Sequence, residues 1–323
     1  MSGPGAGHTF PAKEVSWLQR DVLLFANSIG ATSKELHYLF ELHPDFAVFP
    51  TYPVILPFKL TDQEVTDFYA RSKGSPIPGV PAFDPRRVVD GQRKITVLKQ
   101  LPTSSAGKKF ELRNKVVGVY DKGKASVVET EQSIVEVGSG EVYSVISSSA
   151  FYVGQGGWGG PKGMFVNLCV NEADGIGPAS QNYPPPAGRK PDAVNELQTT
   201  SETAQLYRLN GDYNPLHATP EPGQKMGFGG VIIHGLYSWN ATAHVVLEAL
   251  GGSDPKNFKE FQARFASPVR PGDKLITEMW RTGEVDGFDE ILFVTKNQKG
   301  QVVLSNGRAL IKGPGGPGRG AKL

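Results

Sequence analysis

The chain has one cysteine, Cys169, in 323 residues. A lone thiol can close no internal disulfide and build no cysteine metal cluster, so a reducing compartment is the simple expectation. Charge of one sign is also missing. The 34 basic and 32 acidic residues leave +2, which provides no broad cationic field for nucleic acid, although a local basic pocket for a phosphorylated small molecule fits that balance. No run approaches the roughly 18 apolar residues of a membrane span. The segment Met1 to Pro11 lacks the charged-then-apolar order of a signal peptide, which leaves the sequon Asn240-Ala241-Thr242 idle. No HExxH, GxSxG or Walker sequence occurs.

What is present reads as a soluble globular protein, 39% hydrophobic and 20% charged, long enough for one large domain or two ordinary ones. Phe110 to Tyr120, Ala125 to Val135 and Glu141 to Val153 are rich in Val, Ile, Ser and Tyr. They break at Asp121-Lys122-Gly123 and Gly138-Ser139-Gly140, both good turns. Lys274 to Thr282, Asp289 to Asn297 and Gln301 to Ile311 repeat the plan, with breaks at Asp286-Gly287 and Lys299-Gly300. Each set follows a proline-led entry, Pro102 to Gly107 and Pro268 to Gly272. The pattern is a duplication of meandering antiparallel strands.

Helices lie upstream of these strands. Trp17 to Ser28 carries an apolar stripe that Gly30 can stop, and a short helix capped by Ser33 should follow. His234 to Leu250 is apolar on nearly every face and ends at Gly251-Gly252, so it should be buried inside a curved sheet. The expected fold is α+β, a double hot-dog with two curved antiparallel sheets each wrapping a central helix. The expected division is a first domain over 1–160, a Gly- and Pro-rich linker over 161–195, a second domain over 196–312, and a loose tail over 313–323.

The densest polar cluster is Asn210-Gly211-Asp212-Tyr213-Asn214-Pro215-Leu216-His217. Turn formers dominate it, and Pro215 stiffens it by fixing its own φ and restricting Asn214. A rigid loop holding a carboxylate, an amide and an imidazole can position a water. An Asx turn with its side chains spent on local backbone accounts for the same composition. Further on, Gly229-Gly230 to His234-Gly235 enters the buried helix. Glycine there lets another group approach exposed N–H donors that carry partial positive charge, or else simply lets the helix pack closely. His234, beside an apolar face, reads as a structural histidine.

Tyr207-x-Leu209-Asn210-Gly211-Asp212-Tyr213-Asn214-Pro215-Leu216-His217, followed by His234-Gly235-Leu236, resembles the hydratase 2 motif of the MaoC-like (R)-specific enoyl-CoA hydratases. The likeness continues through Pro268 to Asp273, Thr277 to Trp280, Asp45 to Thr51 and Val153 to Gly160, and so spans most of the chain. The resemblance implies hydration of trans-2-enoyl-CoA to (3R)-3-hydroxyacyl-CoA. It makes Asp212 and His217 the acid–base pair, Asn214 a holder of the water and Gly235 the oxyanion N–H. Substrate contacts would fall on Asp90, Gly91, Lys122, Tyr213, Pro215, Leu216 and Phe265. Lys122, a cation at a turn tip, could meet a CoA phosphate or be a solvated turn lysine. Where many relatives read His-Gly-Glu-Gln, this chain has Asp90-Gly91-Gln92-Arg93, a departure that bears on the Asp90 assignment and on substrate preference. The first half has no Asp-x-Asn-Pro-x-His, so the second domain should be the catalytic one, the first making room for the acyl chain.

No metal or redox cofactor is expected, because the thioester already polarises the reacting system. The expected partners are an acyl-CoA and, through Ala321-Lys322-Leu323, which is similar to the Ser-Lys-Leu address, the peroxisomal import receptor. A homodimer is an open expectation. The peroxisome is the expected location. Three alternatives stay open: a biosynthetic 3-hydroxyacyl thioester dehydratase, a non-catalytic acyl-CoA-binding protein and a hot-dog thioesterase. Gly154-Gln155-Gly156-Gly157-Trp158-Gly159 satisfies the dinucleotide pattern, but Pro161-Lys162-Gly163 follows it and no βαβ unit surrounds it. His37, His43 and Asp45 are too few to make a metal site and read as surface residues.

Overall fold

The computed structural model describes residues 3–71, 75–163 and 182–314. Cys169, much of the expected linker and the C-terminal tripeptide lie outside those residues.

The strands in chain order are β1 (Thr9–Val15), β2 (Val88–Val97), β3 (Phe110–Asp121), β4 (Ala125–Glu136), β5 (Val142–Val153), β6 (Ala193–Gln198), β7 (Phe258–Phe265), β8 (Lys274–Val285), β9 (Phe288–Asn297) and β10 (Val302–Ile311). The helices are α1 (Gln19–Ser28), α2 (Leu36–Leu39), α3 (Leu56–Lys59), α4 (Phe68–Arg71), α5 (Thr203–Tyr207), α6 (Pro220–Lys225) and α7 (Gly235–Gly251).

All ten strands join one antiparallel sheet, ordered β1-β3-β4-β5-β2-β7-β10-β9-β8-β6. Read inward from either edge the connectivity is the same, which is the duplication expected from the sequence. The two curved sheets are thus continuous, sewn together where β2 pairs with β7 from Gln92–Arg264 to Thr96–Glu260. Alternation sets the faces at this seam. Ile95 and Phe261 point into the core. Lys94 and Glu260 face outward as an ion pair at 2.8 Å, and Arg308 joins Glu260 at 2.6 Å. β6 starts at Ala193, inside the stretch expected to be linker, and pairs with β8.

Helix α7 fills the second half's concave face. Apart from Gly235, Glu248 and Ala249 its residues are buried, and Trp239 meets the ring of Phe261 edge-on at 4.7 Å. Gly252 closes the helix at φ 64°, the left-handed conformation glycine accepts. The first half is covered by shorter pieces. Helix α1 begins at Gln19, two residues later than the apolar stripe suggests, because the Leu18 N–H donates to the Asp21 carboxylate (2.8 Å) and sets the helix start. Ser33 does not cap the next helix. Glu35 precedes α2, and its carboxylate accepts from the Thr32 N–H at 3.0 Å.

The glycine-rich segment after β5 wraps a carboxylate of its own chain. Asp121 accepts from the N–H groups of Gly123, Gly157 and Gly159, each at 2.8 Å. These backbone donors, Gly157 and Gly123 foremost, hold the Asp121 carboxyl below its ordinary range.

Candidate active site

The loop after α5 is built backbone first. Arg208–Asn210 forms a 3-10 turn, and Gly211 reverses the chain at φ 118°. A Cβ there would stand 2.9 Å from the Lys59 backbone, so only glycine fits. The Asn210 amide donates to Ser28 Oγ (2.9 Å) and Tyr207 O (2.8 Å), fastening the loop to α1. The Asn214 N–H donates to Asp212 Oδ1 (3.2 Å), and Asn214 Oδ1 accepts from the Leu216 N–H (3.0 Å). The loop is thus an Asx turn, and it also brings Asp212 and His217 together.

His217 is buried, with Nδ1 2.8 Å from the carbonyl of Ile232. A carbonyl only accepts, so Nδ1 carries the proton of the neutral ring and Nε2 is the free base. Asp212, His217 and His234 bring one ligating atom each within 4.8 Å of the others. Burial pushes the Asp212 carboxyl up and the His217 imidazole down, and their mutual attraction opposes both shifts. Asn214 is less free than the resemblance implies, since one lone pair of its oxygen is taken by the Leu216 N–H.

His234, read from sequence as a structural residue, belongs to this cluster. It is 1% exposed, its Nε2 lies 3.1 Å from the Asp212 carbonyl, and its ring stacks on His217 at 3.7 Å and 28°. The missed signal was an imidazole at the mouth of an otherwise apolar helix. Next to it Gly235 is exposed, and neither its N–H nor that of Leu236 has an acceptor among the described residues. Gly235 also lets the Phe265 ring lie close, since an added Cβ would stand 3.2 Å from it. Free donors at the start of a 17-residue helix, beside Asp212 and His217, can receive negative charge on an oxygen.

The remaining expected contacts divide. Tyr213 lies under the Arg208 guanidinium at 5.2 Å, Pro215 opens the 3-10 turn that carries His217, and Leu216 is buried. Asp90 pairs with the buried Arg93 at 3.1 Å, and its charge raises the proton affinity of both Asp212 and His217. Gly91 sits at a register shift of β2 on β5 and under the Phe151 ring, which explains a glycine there by packing alone. Lys122 is engaged elsewhere, donating to the Lys162 carbonyl and lying 5.4 Å over the Tyr120 ring.

Two histidines and a carboxylate this close also invite a metal. Nδ1 of His217 is committed to the Ile232 carbonyl, so that ring could offer an ion only Nε2.

Residues 182–302 match the MaoC like domain family, and residues 16–154 match the MFE-2 hydratase 2 N-terminal domain family. The chain is 46% identical to "Probable dehydratase NIT22" of Ajellomyces capsulatus, over 93% of this chain and 79% of that protein. It is 32% identical to "Probable enoyl-CoA hydratase 2" of Dictyostelium discoideum, over 94% of each. It is 31% identical to "Enoyl-CoA hydratase 2, peroxisomal" of Arabidopsis thaliana, over 85% of each. Among solved structures, a MaoC-like dehydratase from Phytophthora capsici superposes with a TM-score of 0.79 at 31% identity, covering 95% of this chain and 96% of that one. A Mycobacterium tuberculosis protein described as a double hotdog fold aligns at 13% identity with a TM-score of 0.58, over 94% and 96%, a likeness of fold. The chain therefore belongs to the MaoC-like family, in its double hot-dog form with a hydratase 2 N-terminal domain.

Proposed function

We propose that the chain adds water across the double bond of trans-2-enoyl-CoA thioesters to give (3R)-3-hydroxyacyl-CoA. The observation that carries this reading is the convergence of Asp212 and His217 beside the Gly235 N–H, which has no acceptor among the described residues. The thioester oxygen sits on that N–H, and one water is held over C3 by the Asp–His pair. As the water's oxygen bonds to C3, its proton passes to the pair. The double-bond electrons move to the thioester as an enolate, which the helix-start donors stabilise. The pair then returns a proton to C2 on the same face. Relatives named enoyl-CoA hydratase 2 support the reaction class.

The same groups catalyse the reverse step, and one relative carries the name of a probable dehydratase. The direction in the cell follows from which thioester is supplied. The test is loss of enoyl absorbance over several chain lengths, with chiral analysis of the product. Asp212→Asn and His217→Gln should each abolish most turnover, by about 10²- to 10⁴-fold. Wild-type turnover in Asp212→Asn would end this reading, and release of free thiol would instead mark a thioesterase.

A peroxisomal location is part of the proposal, supported by Ala321-Lys322-Leu323 and by a relative named peroxisomal. Removing that tripeptide should leave a fluorescent fusion in the cytosol. Import of the truncated fusion would show another address.

A further inference from the structure

His234 touches all three parts of the proposed machinery. Its backbone is the N-cap of α7, one residue before the Gly235 N–H. Its Nε2 reaches the main-chain oxygen of Asp212 at 3.1 Å, and its ring lies on that of His217 at 3.7 Å. Behind it stands Tyr207 at 5.1 Å between ring centres, held in turn by Asn240 of α7, whose amide donates to the phenol oxygen at 2.8 Å.

The acceptor at Asp212 is a carbonyl, so Nε2 must be the protonated nitrogen. Nδ1 then carries a lone pair, and among the described residues it has no partner. Burial and the neighbouring His217 hold His234 neutral, well below the ordinary imidazole range. Neutrality matters here. A second imidazolium stacked on His217 would oppose the positive charge His217 takes up when it receives the water's proton.

We propose that His234 is a positioning residue, whose Nε2–H to Asp212 O bond sets the distance between the acid–base pair and the oxyanion donor on α7. The role rests on the hydratase reading above. Hydration requires the water over C3 and the N–H at the thioester oxygen to be correct together, and these two groups sit on separate segments, the loop and the helix. His217 Nδ1 ties the far end of the loop to the Ile232 carbonyl, three residues before Gly235, and His234 is the described contact that reaches the Asp212 main chain. Misplacement of this kind costs about 10²-fold in rate at a displacement of roughly 1 Å.

The test compares three variants with crotonyl-CoA. His234→Leu removes the donor, His234→Gln places an amide N–H where Nε2 was, and His234→Asn places one where Nδ1 was. The expected result is a kcat reduced about 100-fold in His234→Leu with KM within about threefold of wild type. His234→Gln should recover at least about tenfold of that loss, and His234→Asn should not. A folded His234→Leu with nearly wild-type kcat overturns the role. So does equal activity of the Gln and Asn variants, which decides the matter even where Leu prevents folding. Wild type and Asp212→Asn are run alongside. An inactive wild type, or an active Asp212→Asn, would bring down the hydratase reading and this role with it, whereas failure confined to the His234 variants leaves that reading standing.

Discussion

Nε2 of His244, on α7, lies 2.9 Å from Oε1 of Glu35, 209 residues earlier in the chain, and both side chains are almost fully buried. Ser253 Oγ donates to the same carboxylate at 2.7 Å, and the Thr32 N–H reaches its other oxygen at 3.0 Å. Glu35 therefore holds the first half's helical segment against the far end of the helix whose near end opens the candidate active site. Against the cost of burial, His244 followed by Ser253 and Thr32 draws the Glu35 carboxyl down to about 2.

Removing one partner of such a buried pair strands the other. Glu35→Gln should lower the stability by about 3 to 5 kcal/mol, read as a drop in Tm or in the urea midpoint. Glu35 is depressed from 4.5 to about 2 on folding, so its contribution is complete above pH 4.5 and fades as pH falls toward 2. The variant should accordingly lose less stability than wild type across that window. Parallel pH–stability curves would show that Glu35 contributes nothing there.

Asp90 raises the proton affinity of Asp212 and of His217 through its negative charge. In Asp90→Asn both groups should titrate at lower pH, and both limbs of the pH profile of kcat/KM should move to lower values. Loss of Asp90 also leaves the Arg93 cation unopposed, which acts in the same direction. A profile moved upward, or unmoved, would contradict this electrostatic account.

Gly211→Ala should harm fold and activity together. The residue sits at φ 118° and the new methyl would press on the Lys59 backbone at 2.9 Å. A loss of about 1 to 3 kcal/mol is expected, with a fall in turnover because Asp212 is the next residue. Thermal melts and the enoyl assay on the same preparation check both.

The strands on either side of tight turns were legible because alternation and turn chemistry agreed. Gly123, Asp286, Gly287 and Gly300 all take positive φ where the breaks were expected. The seam itself was not legible. β7 alternates strictly, Glu260-Phe261-Gln262-Ala263-Arg264-Phe265, yet Glu260 and Gln262 on its outward face are buried as well as Phe261 and Ala263, so the pattern does not tell that the outward face is covered. Those polar residues are buried because partners from distant strands satisfy them, Lys94 and Arg308 for Glu260, and a window of sequence cannot contain such partners. The site shows the same division. Asp212, His217 and Gly235 could be singled out from local motifs, whereas the place of His234 depends on a stack and a hydrogen bond formed only after the loop folds back on the helix.

The pairing of β2 with β7 has a consequence for any attempt to divide the protein. Residues 182–314 made alone would present the full inner edge of β7 to solvent, with Phe261 and Phe265 alongside, and unsatisfied edges of that kind recruit other strands. The isolated second half should self-associate through that edge or be captured by a separately made first half. Possession of the whole loop from Asn210 to His217 would not by itself make such a fragment a well-behaved monomer.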